Sequence, residues 1–161
     1  MGFNIGRWLG HVIKGAAQQV GPEIVQAAAS QLPPDVQSGF NQAAQFIKDP
    51  KLNINSVVDL TALRDKFVGP NLKGFDLAAS LYGGLSRVGG VLPPNLTPVQ
   101  QAGYLMTQGM ADAHPDNKAA MMTAVAATPA LQQGAVVAVK QVAATRKGWW
   151  WRFLHALGLA H

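Results

Sequence analysis

Apolar residues recur along this chain at helical spacing, and no segment alternates strictly between apolar and polar residues as a half-buried strand does. In the first segment, residues 3–20, Trp8, Val12 and Ala16 fall on one apolar stripe. Proline and glycine separate each apolar segment from the next. The pattern predicts an all-α fold, a compact bundle of about seven or eight short helices with amphipathic, aromatic-rich termini.

Helix breakers and capping residues predict where the helices lie. Thr97 followed by Pro98 is the clearest start, because threonine caps a first turn and proline suits the first helical position. Gly69-Pro70 is expected to end a helix, and Gly83 with Gly84 to weaken the middle of another. Between the terminal segments, the predicted helices cover residues 23–31, 36–49, 57–68, 75–88, 98–113, 115–127 and 129–147.

Two local motifs each allow two interpretations. Residues 83–90 are rich in glycine but lack the lysine and the preceding strand of a phosphate-binding loop, so a flexible hinge is the better interpretation. Leu-Pro-Pro occurs at Leu32 and again at Leu92, each time before a glutamine-rich helix. Either a duplicated helical unit or a repeated way of starting a helix explains the second motif.

Composition narrows the class of protein. Charged residues make up 13% of the chain, against about 25% in an ordinary soluble domain, and Gln and Asn fill the polar positions instead. A surface covered by partners and a small Ala-rich helical domain explain this composition equally well. With no cysteine, disulfide scaffolds, thiolate metal sites and a cysteine nucleophile are excluded. The first residues lack the apolar core of a secretory signal.

Positive charge is concentrated near the C-terminus. Up to Asn117 eight Lys and Arg balance eight acids, whereas after Asn117 there are five Lys and Arg and no acid. Three of these cations are interleaved with aromatic residues, a combination that suits an interface apolar on one side and anionic on the other. The predicted C-terminal contact consists of Trp149, Trp150, Trp151, Phe153 and Leu154 as anchors, with Arg146, Lys147 and Arg152 facing negative charge.

The N-terminus repeats this composition more weakly. Its predicted contact residues, which share one side of a cationic amphipathic helix, are Trp8, Leu9, Val12 and Ile13. Gly2, Gly6 and Gly10 form a smooth ridge on another side. We therefore expect an N-terminal helix or arm over residues 1–22, a helical domain over residues 23–147 and a basic-aromatic anchor over residues 148–161.

Three surfaces could receive the C-terminal anchor: the protein's own core, a groove on another protein, or an anionic bilayer or nucleic-acid backbone. Three cations are a weak footprint for nucleic acid, so such contact is expected only when many copies act together. The uncharged run over residues 119–139 is long enough for a membrane span, but Pro129 and two glutamines interrupt it.

No motif predicts a reaction. The four histidines are not spaced as metal ligands, and the eight acids are dispersed along the chain. We therefore expect no catalytic residues, no metal and no cofactor.

Low charge, richness in Ala, Gln, Gly and Pro, and basic-aromatic ends resemble the composition of small minor components of bacteriophage virions and secretion-type assemblies. The resemblance implies a non-enzymatic structural or adaptor protein, virion-associated, with other protein subunits or an anionic membrane surface as partners. The alternatives are a membrane-active protein, holin-like or bacteriocin-like, whose amphipathic ends insert, and a small helical enzyme without a recognisable motif.

Overall fold

The computed structural model describes residues 20–48, 57–110 and 115–143, and within these ranges the chain forms seven helices and no strand. The prediction of an all-α bundle is confirmed. Six of the described helices begin at a proline, whose fixed φ and missing N–H suit the first helical position. The helices are α1 Pro22–Ser30, α2 Pro34–Lys48, α3 Val57–Arg64, α4 Pro70–Arg87, α5 Pro98–Gly109, α6 Pro115–Ala126 and α7 Pro129–Ala143.

Helices α4 and α5 form the centre of the bundle. Every residue from Gly74 to Leu85 of α4 is buried, as is every residue from Ala102 to Gly109 of α5. Helix α4 packs against α2, α5 and α6, and α5 packs against α1, α4 and α7. A helix surrounded in this way must be apolar or small on all sides, which explains why these two segments are rich in Gly, Ala and Leu.

Glycines set the distance between α2 and α4. A Cβ atom added to Gly39 would lie on the backbone of Asn71. One added to Gly74 would lie on the carbonyl oxygen of Val36 and the amide nitrogen of Phe40. The two backbones are therefore in direct contact, and only glycine fits at either position.

The same arrangement recurs between α5 and α7. A Cβ atom added to Gly103 would lie on the backbone of Leu131, and one added to Gly134 would lie on the carbonyl oxygen of Gln100 and the amide nitrogen of Tyr104. In both crossings each glycine touches the residue three positions before the other glycine. The second glycine of each pair also touches the residue that follows the first.

This shared register favours a duplicated three-helix unit over a repeated helix start. Helices α2, α3 and α4 correspond to α5, α6 and α7, and the first crossing glycine of each unit is followed by an aromatic residue, Phe40 or Tyr104. A repeated Leu-Pro-Pro would account for similar helix starts. It would not account for equivalent contacts between the first and third helices of each unit.

Helices α4 and α5 are joined by a third glycine crossing. Gly84 lies against the carbonyl of Leu105, and Gly109 lies against the carbonyl of Ser80. Because these contacts follow opposite orders along the two helices, α4 and α5 are antiparallel. The interpretation of residues 83–90 as a hinge is therefore wrong for its first part: α4 continues through Gly84 to Arg87, and the chain turns at Gly89 and Gly90, whose φ values are +66° and +79°.

Several predicted helix ends are corrected. Helix α3 ends at Arg64 rather than at residue 68, and Pro70 begins α4 where Gly69-Pro70 was expected to be only a stop. Gly69 adopts a φ of +58°, which reverses the chain and leaves Pro70 free to occupy the first turn. The predicted start of α5 is confirmed, because the Thr97 hydroxyl accepts from the Gln100 amide at 3.3 Å. Gln100 Oε1 in turn accepts from the Thr97 amide at 3.0 Å, which completes a capping box.

The uncharged run over residues 119–139 is divided between two helices. Helix α6 ends at Ala126 and α7 begins at Pro129, with Thr128 buried at the junction. The Thr128 hydroxyl donates to the carbonyl of Gln31 at 3.3 Å, which fixes this junction beside the end of α1. Across the described ranges, every helix is too short or too polar to cross a bilayer.

Candidate functional sites

The residues that the sequence predicts as contact residues fall outside the described part of the chain. Trp8, Leu9, Val12 and Ile13 belong to residues 1–19, and the set from Arg146 to Leu154 belongs to residues 144–161. The predicted N-terminal arm and C-terminal anchor therefore remain predictions. All four tryptophans and all four histidines of the chain also lie outside the described residues, so the helical bundle itself contains neither residue type there.

Charge is distributed unevenly between the described bundle and the two terminal segments. Residues 20–48, 57–110 and 115–143 contain seven Lys and Arg and six acids, which makes the bundle nearly neutral. The terminal segments, residues 1–19 and 144–161, contain five Lys and Arg and no acid. The positive excess thus belongs to both ends of the chain, and not only to the stretch after Asn117.

A bidentate ion pair connects α3 to α4. Arg64 Nε donates to Asp76 Oδ1 at 2.8 Å and Arg64 Nη2 donates to Asp76 Oδ2 at 3.0 Å, with side-chain exposures of 15% and 7%. Beside the pair, the rings of Phe67 and Phe75 are tilted at 49° with their centres 5.0 Å apart. Asp76 lies in the second turn of α4 and is buried. Its carboxylate is engaged by a guanidinium, so its role in the described structure is to hold α3 and α4 together.

Tyr82 and Thr107 are buried side chains of the core whose hydroxyls have no hydrogen-bond partner among the described residues. Tyr82 is fully buried in α4. Burial raises the pKa of Tyr82 to about 12, so the hydroxyl keeps its proton and acts as a donor throughout the neutral range. Leaving such a group unsatisfied costs about 1–3 kcal/mol, which makes it a feature that requires an explanation.

Tyr82 forms part of the wall of a cavity between α1 and α2. The cavity has a volume of about 370 Å³ and no charged side chain in its described lining. Side-chain amides alternate there with small apolar groups. The lining residues are Pro22, Val25, Gln26, Asn41, Ala44, Gln45 and Tyr82. Sequence reasoning missed this site because its members are spread over three helices, and none belongs to a recognised motif.

A second cavity, of about 450 Å³, lies between the start of α2 and the end of α6. Lys73 is the one charged residue of its described lining, and the cavity includes Thr123 and Thr128. Both hydroxyls are already used, since Thr123 donates to the carbonyl of Ala119 at 2.9 Å and Thr128 donates to that of Gln31. This cavity therefore offers one cation and no unsatisfied hydroxyl.

In the described ranges, His, Cys, Asp and Glu do not gather in groups of three that could hold a metal ion. Comparison of the whole chain with protein-family models, with curated proteins and with solved structures gives no match. Function is therefore inferred from the residues of the chain itself.

Proposed function

We propose that this protein is a non-enzymatic structural or adaptor component of a larger assembly, held in place by its two terminal segments. The observation that supports this most strongly is the separation of chemistry along the chain. A nearly neutral bundle without tryptophan in its described ranges is flanked by two segments that contain all four tryptophans and five cations with no acid.

The composition of the ends suits contact better than solubility. Tryptophan and arginine are the residues that contribute most to binding at interfaces, because they bury large areas and also make polar contacts. Trp149, Trp150 and Phe153 supply the apolar anchors, while Arg146 and Arg152 face negative charge. At the other end, Trp8 and Val12 supply a smaller anchor of the same kind. Two contacts made by one chain increase the overall affinity through their effective concentration.

Among assemblies, we propose a bacteriophage virion in which the protein is a minor component. Low charge and richness in Ala and Gln favour a chain largely covered by neighbouring subunits, which are the proposed partners. An anionic membrane surface is the alternative partner, because short cationic helices with tryptophan at the boundary lie well in a bilayer interface. Contact with nucleic acid would require many copies, since each cation contributes little.

Tryptophan fluorescence provides the test, because no tryptophan lies in the described bundle and the signal comes from the terminal segments. Full-length protein is mixed with vesicles of neutral phosphatidylcholine or of phosphatidylcholine with anionic phosphatidylglycerol. Trp8→Phe isolates the C-terminal signal, and removal of residues 148–161 isolates the N-terminal one. If the protein is an adaptor for other proteins, its tryptophan emission maximum is expected not to shift with either kind of vesicle. It is also expected to co-migrate with high-mass particles in a density gradient of its source lysate.

The double variant Trp150→Ala/Phe153→Ala is expected to leave the particle fraction while its circular dichroism stays unchanged. Co-migration that survives both this variant and the 148–161 deletion would refute a C-terminal anchor. A blue shift with anionic vesicles, accompanied by leakage of an entrapped dye, would instead establish the membrane-active alternative.

A further inference from the structure

The cavity between the start of α2 and the end of α6 has one charged residue in its described lining, Lys73. Its side chain is half-buried and makes no ion pair among the described residues. Asp76, three residues further along α4, is held by Arg64 at 2.8 Å. Asp35, near the start of α2, does not line the cavity, and its carboxylate accepts from the Val36 amide at 2.9 Å. The positive charge of Lys73 is therefore available to a group that enters from outside.

Most of the remaining wall is apolar. Leu32 and Val36 are 6% and 5% exposed, so the packing of the core fixes this part of the wall. Pro33, Ala124 and Ala127 add further apolar surface. The volume of about 450 Å³ lies within the range for ligand pockets, about 300–1,000 Å³. A ligand that fits this wall therefore needs a small apolar body.

The polar groups of the lining select among charged ligands. A cation would find no carboxylate in the described lining. The two threonine hydroxyls, Thr123 and Thr128, already donate to backbone carbonyls, so toward a ligand their oxygens can only accept. A phosphate, which requires several donors, would find only the ammonium of Lys73 and the exposed amide of Gln31. A carboxylate carries a single charge, which one ammonium balances in a charge-assisted hydrogen bond.

We propose that this cavity binds a small free monocarboxylate with a short alkyl chain. The carboxylate pairs with Lys73, whose flexible four-carbon stem lets the ammonium reach across the opening of the cavity. The alkyl chain packs against Leu32 and Val36, where its burial supplies the apolar part of the affinity. This site is independent of the proposed role of the terminal segments, since every residue that forms it belongs to the helical bundle.

The test measures the binding of butyrate, hexanoate and hexanamide to the full chain by ligand-observed NMR. Each buried CH₂ group should tighten binding about three- to fourfold, so hexanoate should bind about tenfold more tightly than butyrate. Hexanamide keeps the alkyl chain but loses the charge, and it should bind about tenfold more weakly than hexanoate. Equal binding of butyrate and hexanoate, or of hexanoate and hexanamide, would overturn the proposal.

Variants place the ligand in the cavity. Lys73→Met removes the charge but keeps an apolar stem, and it should weaken hexanoate binding about tenfold, whereas the exposed Lys66→Met should not change it. Ala127→Leu alters an exposed wall residue and should weaken binding by filling part of the cavity, with circular dichroism unchanged. Equal losses in the two lysine variants, or full binding in both Lys73→Met and Ala127→Leu, would overturn the proposal. N-acetyl-leucine mimics the end of a polypeptide, and tighter binding of it than of hexanoate would overturn the assignment to a small free acid.

Discussion

The two halves of the bundle use the same glycine crossing but stabilise it differently. In the first half, α2 and α4 meet through Gly39 and Gly74, and the partly buried pair Arg64–Asp76 lies close to this crossing along the chain. In the second half, α5 and α7 meet through Gly103 and Gly134, and the buried α7 residues around that crossing are apolar. Those buried residues are Leu131, Ala135, Ala138 and Val139.

The connections explain the difference. Residues 65–69 separate α3 from α4, whereas only Ala127 and Thr128 separate α6 from α7. A longer connection has more conformational entropy to lose, so the first half needs additional contacts to order it. The Arg64–Asp76 pair spans this connection, and the Phe67 ring within it packs at a tilt against the Phe75 ring. Glycine therefore sets how closely the helices approach, and the length of the connection determines which other contacts are needed.

The largest effect is expected when one methyl group is added to each glycine crossing. Gly74→Ala and Gly134→Ala each place a Cβ atom on a backbone carbonyl that cannot move aside without shifting its helix. Overpacking costs about 1–3 kcal/mol and occasionally more, and we expect about 3 kcal/mol or more for each variant because the contact is with backbone. Chemical denaturation followed by circular dichroism measures the loss.

Gly89→Ala is the matched control, since Gly89 has open space around it and only its φ of +66° favours glycine. Its expected cost is smaller, about 1–2 kcal/mol. If Gly134→Ala were tolerated while Gly74→Ala was not, the two crossings would not be equivalent and the duplicated unit would lose its main support.

Sequence patterns were sufficient for the parts of the fold that depend on local chemistry. The all-α class follows from apolar spacing, and the start of α5 follows from Thr97 and Pro98, whose capping role is decided within one turn. The start of α7 at Pro129 is likewise local. Gly69-Pro70 was expected only to end a helix, but Pro70 also begins α4, because the positive φ of Gly69 reverses the chain before it.

Tertiary contacts were out of reach of the same reasoning. Gly83 and Gly84 suggested a weak helix because glycine is costly in isolation, but close approach to α5 makes Gly84 necessary. The partner of Asp76 lies twelve residues away on another helix, so no local pattern could reveal it. The Tyr82 cavity likewise exists only once α1, α2 and α4 come together. The predicted contact residues of the two ends remain untested.

The Arg64–Asp76 ion pair provides the next largest expected effect. Asp76→Asn keeps the shape of the side chain but leaves Arg64 without its carboxylate. Breaking a fully buried pair costs about 3–5 kcal/mol, and we expect about 2–3 kcal/mol here because Arg64 retains some contact with solvent. The exposed neighbour Asp65→Asn is the control and should change the unfolding free energy by less than about 0.5 kcal/mol. Equal effects of the two variants would show that the pair does not order the connection.

Tyr82 provides a test at high pH. The pKa of a tyrosine is about 10 when unfolded and about 12 for Tyr82 in the folded protein, so between these values the unfolded chain releases a proton that the folded chain retains. Stability is therefore unaffected by this group below pH 10 and is lost as the pH rises toward 12, by on the order of 2 kcal/mol. Urea denaturation at a series of pH values measures this loss of unfolding free energy. Tyr82→Phe should remove the part of the loss that comes from Tyr82. Tyr104→Phe leaves the Tyr82 contribution in place, and if it flattened the profile as much as Tyr82→Phe, the assignment to Tyr82 would be wrong.

The smallest expected effect concerns the start of the second unit. Thr97→Ala removes the hydroxyl that accepts from the Gln100 amide and disrupts the capping box of α5, which should cost about 1 kcal/mol. Thr97→Ser retains an acceptor at the same position and should restore most of this stability. Gln100 also donates to Gln133 at 2.7 Å, so its side chain connects the cap to α7. Thr97→Ala combined with Gln133→Ala should therefore cost less than the sum of the two single variants if the cap positions the Gln100 side chain for Gln133, because Thr97→Ala alone already weakens that contact. A strictly additive result would limit Thr97 to a local role in α5.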